Sequence, residues 1–559
     1  MRILFILPKF NKDQGPFYNP CGEEPDYNYL MPVGMPYIVS YLKQAGYIVN
    51  GLNLNHKYGT IKEIIQTEII KTRYDIAFTG GLSGMFPEIR DIVSHIREVS
   101  PETKIVIGGG LVSAQPEPIM KLINPDFGVI YEGEETALEL VRWIESKPNC
   151  LDNPEIKGIV YTSKADGRVH INPTRGPIKN LDALPYPDLD IFEYEKYISR
   201  QFTGGWNLYS TSDYPRPYSI VSARGCTAAC SFCYHTTGPS YRYRSVENIM
   251  AEIKYAVEKY HINFFTFLDE LFSYDKPRLL KFCALFQEYQ KTIPWRVEMY
   301  CNLRVDCVDG EILDALKSCK NVVIGLGLES MSPVVLKSMR KHIAPEQTKQ
   351  CLKLIAERKL VPQGVYIFGD PAETLETANE TLSFIQNHPE LTRGGVFVGF
   401  VIPFPGTGIY KDALKSGLIP DETRSIECIT DLYEATTNFT KLSNKDFEKL
   451  KAMVNSLRIK SRIESVPKII SPYTMNGKKY IEVFVICPHC KSLIHYCNTG
   501  NPDIQPVPVV CKNPNCNGRF DIVNRRTKFE QFIVKTLGFA LPKSSQSIML
   551  FIKRKLGES

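Results

Sequence analysis

Apolar runs alternate with amphipathic stretches along the first 145 residues of the chain. Short apolar strands are predicted at residues 3–7, 47–52, 75–79 and 104–107. Amphipathic helices are predicted at residues 35–45 and 87–99. This regular α/β alternation with short connections indicates a parallel, doubly wound, Rossmann-like sheet. Because ligands of such sheets bind beyond the carboxyl ends of the strands, we expect the glycine-rich turns there to approach a ligand.

A second α/β unit is predicted over residues 216–435. Its strands are predicted at residues 219–222, 263–268, 295–300, 322–326, 363–368 and 395–401. Residues 146–215 are predicted to be a linker with one hairpin, because the turn Ala165-Asp166-Gly167 separates two short apolar runs. Pro185 and Pro187 favour an extended crossing into the second unit.

The strand–helix alternation stops after residue 435. Residues 436–480 are predicted to form a helical extension, in which a helix over 441–456 is capped by Ser443 or Asn444. Residues 526–559 form a basic tail that mixes apolar and lysine residues. The tail could lie on an anionic membrane surface, but Pro542 interrupts a long amphipathic helix and favours docking onto the protein or an ordinary solvated basic face.

The composition is ordinary for a globular protein, with 43% apolar and 23% charged residues among 559. The sequence contains neither a long apolar run nor a signal-peptide pattern, so we expect a cytoplasmic protein without a transmembrane segment. Residues 519–559 hold nine Lys or Arg against three Asp or Glu and thus carry the whole net charge of +6. The neutral remainder argues against specific binding of nucleic acid.

Three cysteines lie close together in the chain: Cys226, Cys230 and Cys233. Thiolates are the usual ligands of iron–sulfur clusters, and three of them are one short of a full set for a [4Fe–4S] cluster. Such a cluster keeps one iron open, which can bind a substrate or cofactor. A zinc site is the alternative, although structural zinc takes four ligands, usually from paired C-x2-C units.

The segment from Arg224 to His235 resembles the cluster loop of the radical S-adenosylmethionine (SAM) enzymes, including an aromatic residue, Phe232, just before the third cysteine. The resemblance implies a partial (β/α)6 barrel over residues 216–435 and a [4Fe–4S] cluster on the three cysteines. It also implies that SAM binds the open iron and is cleaved by one electron to a 5′-deoxyadenosyl radical.

Three more segments at predicted strand ends resemble motifs of this family and follow in the family's order. By the resemblance, Asp269 and Glu270 contact the amino group of SAM, to which a carboxylate is a natural partner. Arg304 meets the carboxylate of SAM or orients a polar substrate, and Glu329 is a polar contact near the ribose and methionine. The alternative for Asp269 and Glu270 is a structural carboxylate pair at a helix N-terminus.

Residues 1–145 resemble the cobalamin-binding domain that precedes many radical SAM cores, through residues 32–37, the glycines after the fourth strand, and residues 131–136. The resemblance implies cobalamin contacts at Gly108, Gly109, Gly110, Glu132, Gly133 and Glu134. The D-x-H-x-x-G motif of cobalt-ligating histidines is missing, because Leu54 stands where the Asp belongs. We therefore expect His56 to be a solvated loop histidine rather than a cobalt ligand.

Four further cysteines form two knuckles: Cys487 and Cys490 as C-x2-C, Cys511 and Cys516 as C-x4-C. Four thiolates from two knuckles match the tetrahedral shell of zinc, so residues 481–525 are predicted to form a zinc-ribbon-like module with a structural Zn²⁺. A second iron–sulfur cluster or a redox-active pair is the alternative. His495 and Cys497 are further candidate ligands.

Together these resemblances imply a cobalamin-dependent radical SAM enzyme. The predicted activity is methylation of an unactivated carbon, or of a phosphinate centre, in a small molecule, lipid or cell-surface precursor. One SAM would provide the methyl group and a second the radical, with electrons from a donor such as flavodoxin or ferredoxin. The alternatives are a cyclase or rearrangement enzyme with the same cofactors, and a non-enzymatic iron–sulfur redox sensor or binding module.

Overall fold

A computed structural model describes residues 1–10, 25–147, 154–205, 209–392, 395–427, 437–475, 478–503 and 505–525. The first sheet has seven strands: β1 (Arg2–Leu7), β2 (Ile48–Asn53), β3 (Ile76–Gly80), β4 (Lys104–Gly108), β5 (Phe127–Val129), β6 (Ile159–Thr162) and β7 (Val169–Ile171). Their spatial order is β2-β1-β3-β4-β5-β6-β7. The first five strands are parallel, which confirms the doubly wound prediction.

Helices cover both faces of this sheet because each carries an apolar stripe that must be buried. They are α1 (Gly34–Gln44), α2 (Ile61–Lys71), α3 (Phe86–Val99), α4 (Gly110–Ala114), α5 (Pro116–Ile123) and α6 (Glu134–Ser146). The short strand β5 was missed in the sequence because three residues are too few to show a period.

The hairpin in the predicted linker is part of the first sheet. Strand β6 pairs antiparallel with β5, and β7 pairs antiparallel with β6. The expected turn is present, but the hairpin does not stand apart in a linker, because its two strands extend the edge of the first sheet. After it, the linker runs along the second unit through the short helix α7 (Tyr194–Ile198).

The second unit is an open barrel of six parallel strands. Its strands, with the small pair β9/β10 on the first loop, are β8 (Pro217–Ile220), β9 (Ala223–Arg224), β10 (Arg242–Tyr243), β11 (Phe264–Phe267), β12 (Glu298–Leu303), β13 (Asn321–Glu329), β14 (Pro362–Phe368) and β15 (Val396–Phe400). The order β15-β14-β13-β12-β11-β8 is that of a partial (β/α)6 barrel. Strand β12 begins three residues later than predicted, because the Trp295 indole packs before it and donates to the carbonyl of Ile262.

Helices surround the barrel. They are α8 (Val246–Tyr260), α9 (Lys276–Gln290), α10 (Gly310–Ser318), α11 (Pro333–Ser338), α12 (Pro345–Glu357), α13 (Leu375–Asn387), α14 (Gly408–Lys415), α15 (Glu422–Glu427) and α16 (Asn444–Lys460). The predicted extension helix is α16, and the Ser443 hydroxyl caps it by accepting from the N–H of Asp446. One apolar core runs from the first sheet through the linker into the barrel.

Two small sheets form the C-terminal module. Its strands are β16 (Glu464–Ser465), β17 (Ile469–Met475), β18 (Lys478–Ile486), β19 (Leu493–Tyr496), β20 (Val507–Val510) and β21 (Arg519–Ile522). Antiparallel turns β18–β19 and β20–β21 carry the two cysteine knuckles. The predicted basic tail, 526–559, lies outside the described residues. In the part of the chain that the structure describes, no helix is long and apolar enough to cross a membrane.

Candidate active site

The three clustered cysteines lie on the loop between β9 and β10, at the carboxyl end of β8. All three thiols are free; Cys226 is buried, Cys230 half-buried and Cys233 exposed. The structure therefore presents three thiols on one loop at the barrel rim, the edge where barrel enzymes carry their chemistry.

Backbone contacts fix the shape of this loop. The N–H of Ser231 donates to the carbonyl of Met339, and the N–H of Ile409 donates to the carbonyl of Ser231, both at 2.9 Å. Gly225 has a φ of +84°, and a Cβ there would overlap the carbonyl oxygen of Ser240. A glycine is therefore required just before the first cysteine.

Asp269 is buried and supports the start of the cluster loop. Its carboxylate accepts hydrogen bonds from the N–H of Ser222 at 2.6 Å, from the N–H of Ala223 at 2.9 Å, and from the Ser222 hydroxyl. Both oxygens are thus occupied by protein donors. The structure gives Asp269 a role in supporting the loop, and its contact to SAM stays a prediction.

Glu270, the next residue, is exposed and faces the cluster loop. Its carboxylate lies 3.1 Å from Nδ1 of His235. One atom each of Cys226, His235 and Glu270 lie within 4.8 Å of one another. Glu270 is therefore the residue of the predicted carboxylate pair that lies next to Cys226.

Arg304 and Glu329 form two ion pairs at the barrel rim. The Arg304 guanidinium binds Asp306 through two hydrogen bonds of 2.8 and 2.9 Å and interacts electrostatically with the Cys230 thiol. Glu329, with a φ of +61°, binds the buried ammonium of Lys341 at 2.7 Å. The Lys341 carbonyl accepts from Arg304, so the two pairs are joined. A mixed-charge surface thus lies beside Cys230.

The carboxyl edge of the first sheet is partly apolar. A Cβ at Gly109 would lie 2.7 Å from the carbonyl oxygen of Gly81, so the loops after β3 and β4 are in backbone contact. Leu82 is 60% exposed and Tyr131 is 41% exposed at this edge. Exposed apolar side chains over close-packed glycines suit a broad ligand with apolar surface.

The carboxyl edges of the two sheets face each other. A Cβ at Gly110 would lie 3.6 Å from the Tyr234 ring, and a Cβ at Gly406 would lie 3.2 Å from the Cβ of Ala114. The amide of Gln115 donates to the Tyr410 hydroxyl at 2.8 Å. The glycine-rich edge and the cysteine loop therefore adjoin each other, and they are called the two walls below.

Glu132 and Glu134 join the two walls through buried ion pairs. The Arg224 guanidinium binds Glu132 at 2.8 Å and Glu134 at 2.6 Å, and Arg242 binds Glu132 at 2.9 Å. All four side chains are at least nine-tenths buried. Gly133 packs against Ile38, where a Cβ would lie 2.7 Å from Cδ1. These residues act as interdomain contacts, and a direct contact to cobalamin stays a prediction.

His56 is buried, so the expectation of a solvated histidine is wrong. Its Nε2 lies 2.9 Å from the Tyr29 hydroxyl, and its Nδ1 lies 3.3 Å from Glu193. The ring also stacks on Tyr27. Burial lowers the pKa of His56 to about 4 despite the nearby Glu193 carboxylate. The aromatic residues that cover it come from chain segments that the local sequence does not indicate.

The four C-terminal cysteines converge. The Sγ atoms of Cys487 and Cys516 are 3.8 Å apart, those of Cys490 and Cys511 are 3.7 Å apart, and all four lie within 4.8 Å of one another. His495 binds Glu482 instead. Of the described residues, the metal-sized group contains neither His495 nor Cys497.

Three basic residues of the site were missed in the sequence: Arg224, Arg242 and Lys341. Arg224 stands two residues before the first cysteine, but its sequence position gives no sign of its partners 90 residues away. Lys341 lies in Arg340-Lys341-His342, which resembles any solvated basic turn. Only the folded chain shows that these cations are paired.

Two family models match the chain. The Radical SAM superfamily model matches residues 220–385, and the B12 binding domain model matches residues 26–141. These ranges contain the cysteine loop and the glycine-rich sheet edge, respectively.

Similar proteins include an uncharacterized methyltransferase of Pyrococcus horikoshii, 26% identical over 75% of this chain and 84% of that protein. An anaerobic magnesium-protoporphyrin IX monomethyl ester cyclase of Rubrivivax gelatinosus is 25% identical over 74% of this chain and 70% of that protein. The radical SAM methyltransferase TsrM of Kitasatospora setae, solved with cobalamin and a [4Fe–4S] cluster, has the same fold. Its TM-score is 0.59 at 17% identity, covering 75% of this chain and 78% of that chain.

Arg224→Met is expected to lower the free energy of unfolding by about 3–5 kcal/mol, because Glu132 and Glu134 would keep buried charges without their partner. Urea unfolding measures the loss, and hydrogen exchange should increase at residues 132–134. Lys43→Met is the matched control: its pair with Asp188 is 42% exposed at the lysine, so its loss should cost at most about 1 kcal/mol. Equal losses of stability in the two variants would contradict a stabilising role of the buried contact between Arg224 and the two glutamates.

The burial of the neutral His56 ring predicts that the protein loses stability in acid. Its pKa is about 4 in the folded protein, below the ordinary 6.5, so the neutral ring stabilises the fold above pH 6.5. About 3 kcal/mol should be lost as the pH falls from 6.5 to 4. Urea unfolding across this range measures the slope, which His56→Gln should flatten and the half-buried control His95→Gln should keep. An unchanged slope in His56→Gln would refute the assignment.

Proposed function

Because the chain belongs to the radical SAM enzymes that carry a B12-binding domain, we propose that it methylates an unactivated carbon of a small-molecule or lipid substrate. The observation that carries this proposal is the contact between the carboxyl edges of the two sheets, which places the glycine-rich edge next to the cysteine loop. A methyl carrier on one wall and a radical source on the other can then act on the same substrate atom.

Cys226, Cys230 and Cys233 would hold the [4Fe–4S] cluster. Three free thiols on one loop fit a cluster with an open iron, and the Gly225 turn and the bonds to Met339 and Ile409 keep the loop in place. When bound and reduced, the cluster supplies the electron that cleaves SAM to the 5′-deoxyadenosyl radical. A low-potential donor such as flavodoxin or ferredoxin would reduce it.

The glycine-rich edge would hold cobalamin. Gly108, Gly109 and Gly110 let the backbone approach a flat ligand, and exposed Leu82 and Tyr131 offer apolar surface to a macrocycle. When bound, cobalamin supplies a methyl group. No histidine ligand to the cobalt is proposed, because His56 is enclosed by tyrosines.

Charged groups at the rim would bind the polar end of SAM. Glu270 suits the amino group, and Arg304, beside Cys230, suits the carboxylate. Glu329 would contact the ribose or methionine portion, with Lys341 holding its carboxylate in place. These side chains orient SAM; the bond cleavage belongs to the cofactor.

A second activity with the same cofactors is ring formation. The magnesium-protoporphyrin ester cyclase matches nearly the same share of this chain, 74% against 75%, at nearly the same identity, 25% against 26%, which supports this candidate. Methylation adds one CH2 to the substrate mass, whereas cyclisation does not.

The four C-terminal cysteines would bind a structural Zn²⁺. A tetrahedron with Zn–S bonds of about 2.3 Å has edges of about 3.8 Å. The two opposed Sγ pairs, at 3.8 and 3.7 Å, match these edges. Four protein ligands leave no open position, so this site would stabilise the module and take no part in the chemistry.

Anaerobic reconstitution with iron, sulfide and hydroxocobalamin tests the proposed enzyme. With SAM and a strong reductant, the wild type is expected to release 5′-deoxyadenosine and to retain cobalamin through gel filtration. Cys230→Ala should lose nucleoside formation, because the cluster loses a ligand, and should keep cobalamin. Cys351→Ala, a buried thiol away from the loop, is the control.

Intact SAM above an assembled cluster would contradict the radical chemistry and favour an iron–sulfur sensor. Loss of cobalamin during gel filtration would contradict the B12 site. Once a substrate is identified, a product without the added CH2 would contradict methylation and favour cyclisation or rearrangement.

Elemental analysis tests the zinc site. The purified chain should hold one zinc per molecule, and Cys511→Ser should lose it because a neutral hydroxyl, a much weaker zinc ligand, replaces one of the four thiolates. Cys497→Ser, outside the group of four, should keep the zinc. Iron in place of zinc, with the visible absorption of an iron–sulfur cluster, would refute the assignment.

A further inference from the structure

A layer of neutral polar side chains crosses the interior of the barrel below the rim. On β12, Cys301 and Leu303 are buried against the helices, so Tyr300 and Asn302 point to the interior by alternation. Asn302 pairs in register with Gly325 of β13, which pairs with Gln363 of β14. Three adjacent strands thus bring a phenol and two amides together.

These three side chains are hydrogen-bonded to one another. The Tyr300 hydroxyl lies 2.8 Å from Asn302 Oδ1 and 2.9 Å from Gln363 Oε1. A phenol has one proton, so at least one amide must present its NH2 group to the hydroxyl. The partly paired amides keep donor and acceptor capacity, and Asn302 is exposed to the open interior. The layer can therefore both donate and accept.

Gly325 makes room for this layer. A Cβ at Gly325 would overlap both the Tyr300 hydroxyl and Asn302 Oδ1. Burial raises the pKa of Tyr300 well above its ordinary value, so the phenol remains a neutral donor. The layer is thus built around two amides and a neutral phenol.

The C-terminal module covers the barrel beneath this layer. The Tyr209 ring stacks on Tyr300 with centroids 4.6 Å apart and planes 3° apart. Val510 of β20 packs with Val323 and Val361 at the amino-terminal ends of β13 and β14, and Tyr209 packs against this cluster. The Arg519 guanidinium lies 5.1 Å above the Phe397 ring. The module and Tyr209 therefore support the polar layer from below.

Among the residues that the structure describes, the charged groups near the barrel interior lie above or below the layer, and Arg519 of the C-terminal module is one of those below it. Arg304 binds Asp306 and Lys341 binds Glu329 at the rim. Below, the buried Glu298 binds Thr211 and lies 3.2 Å from Arg296. An anion at the level of the layer could accept hydrogen bonds from an amide NH2 group or the phenol, but no cation of the described residues lies at that level to balance its charge, which makes its desolvation costly.

We propose that Tyr300, Asn302 and Gln363 form a recognition floor for the substrate, and that this floor takes an uncharged carboxamide-like group and rejects carboxylate and phosphonate groups. The inference rests on the proposed function, because it makes the barrel interior the substrate site. It adds the substrate class: a molecule whose inserted end is neutral and both donates and accepts hydrogen bonds.

Saturation-transfer difference NMR on the anaerobically reconstituted full chain tests the floor with four matched probes: benzamide, benzoate, phenylphosphonate and benzamidinium. Benzamide should give a signal, and the two anions should bind about tenfold more weakly because their charge is unpaired at the floor. Gln363→Glu should no longer bind benzamide and should bind benzamidinium, because the new carboxylate pairs with the cation. Misfolding cannot produce such a change of preference. Gln386→Glu, the same change at an exposed position of α13, should behave as the wild type.

Three outcomes would each overturn the proposed recognition floor. They are equal signals from benzamide and benzoate, no signal from any probe, and an unchanged probe preference in Gln363→Glu. The release of 5′-deoxyadenosine by the wild type and by the exposed control Gln386→Glu separates this outcome from failure of the proposed function, because SAM cleavage there does not depend on the floor. A wild type that binds benzamide but does not cleave SAM would refute the radical chemistry and keep the floor.

Discussion

The buried contact between Arg224 and the two glutamates of the first unit is the constraint on which the site depends. Arg224 precedes the first cluster cysteine by two residues, and Glu132 and Glu134 flank the start of α6 at the carboxyl edge of the first sheet. With Arg242 they form a dry network of two cations and two anions. Such a network is costly when one partner is removed, so it fixes the two sheet edges relative to each other.

The barrel interior is organised in layers from the rim downward. Cysteines and paired charges occupy the rim, neutral amides and a phenol lie beneath them, and the C-terminal module covers the bottom. The module therefore gains a role that its cysteine spacing alone does not indicate. Through Val510 and its contact with Tyr209, it links the group of four cysteines to the shape of the barrel interior.

Local patterns predicted the parts of the molecule that local forces build. The first four strands of the first sheet, the helix capped by Ser443, and both cysteine groups follow from periodicity and spacing within short windows. Partner choice was not predictable in this way. Asp269 binds Ser222 and Ala223, 47 and 46 residues away, and no local pattern distinguishes that role from a contact to SAM.

By itself the sequence determined two α/β units, three cysteines on one loop and four on two knuckles, because apolar period and ligand spacing are properties of consecutive residues. The tertiary structure decided that Glu132 and Glu134 bind arginines, that His56 is buried, and that Tyr300, Asn302 and Gln363 meet across three strands. Each of these depends on which distant segments pack together, and packing is set by the burial of the whole core.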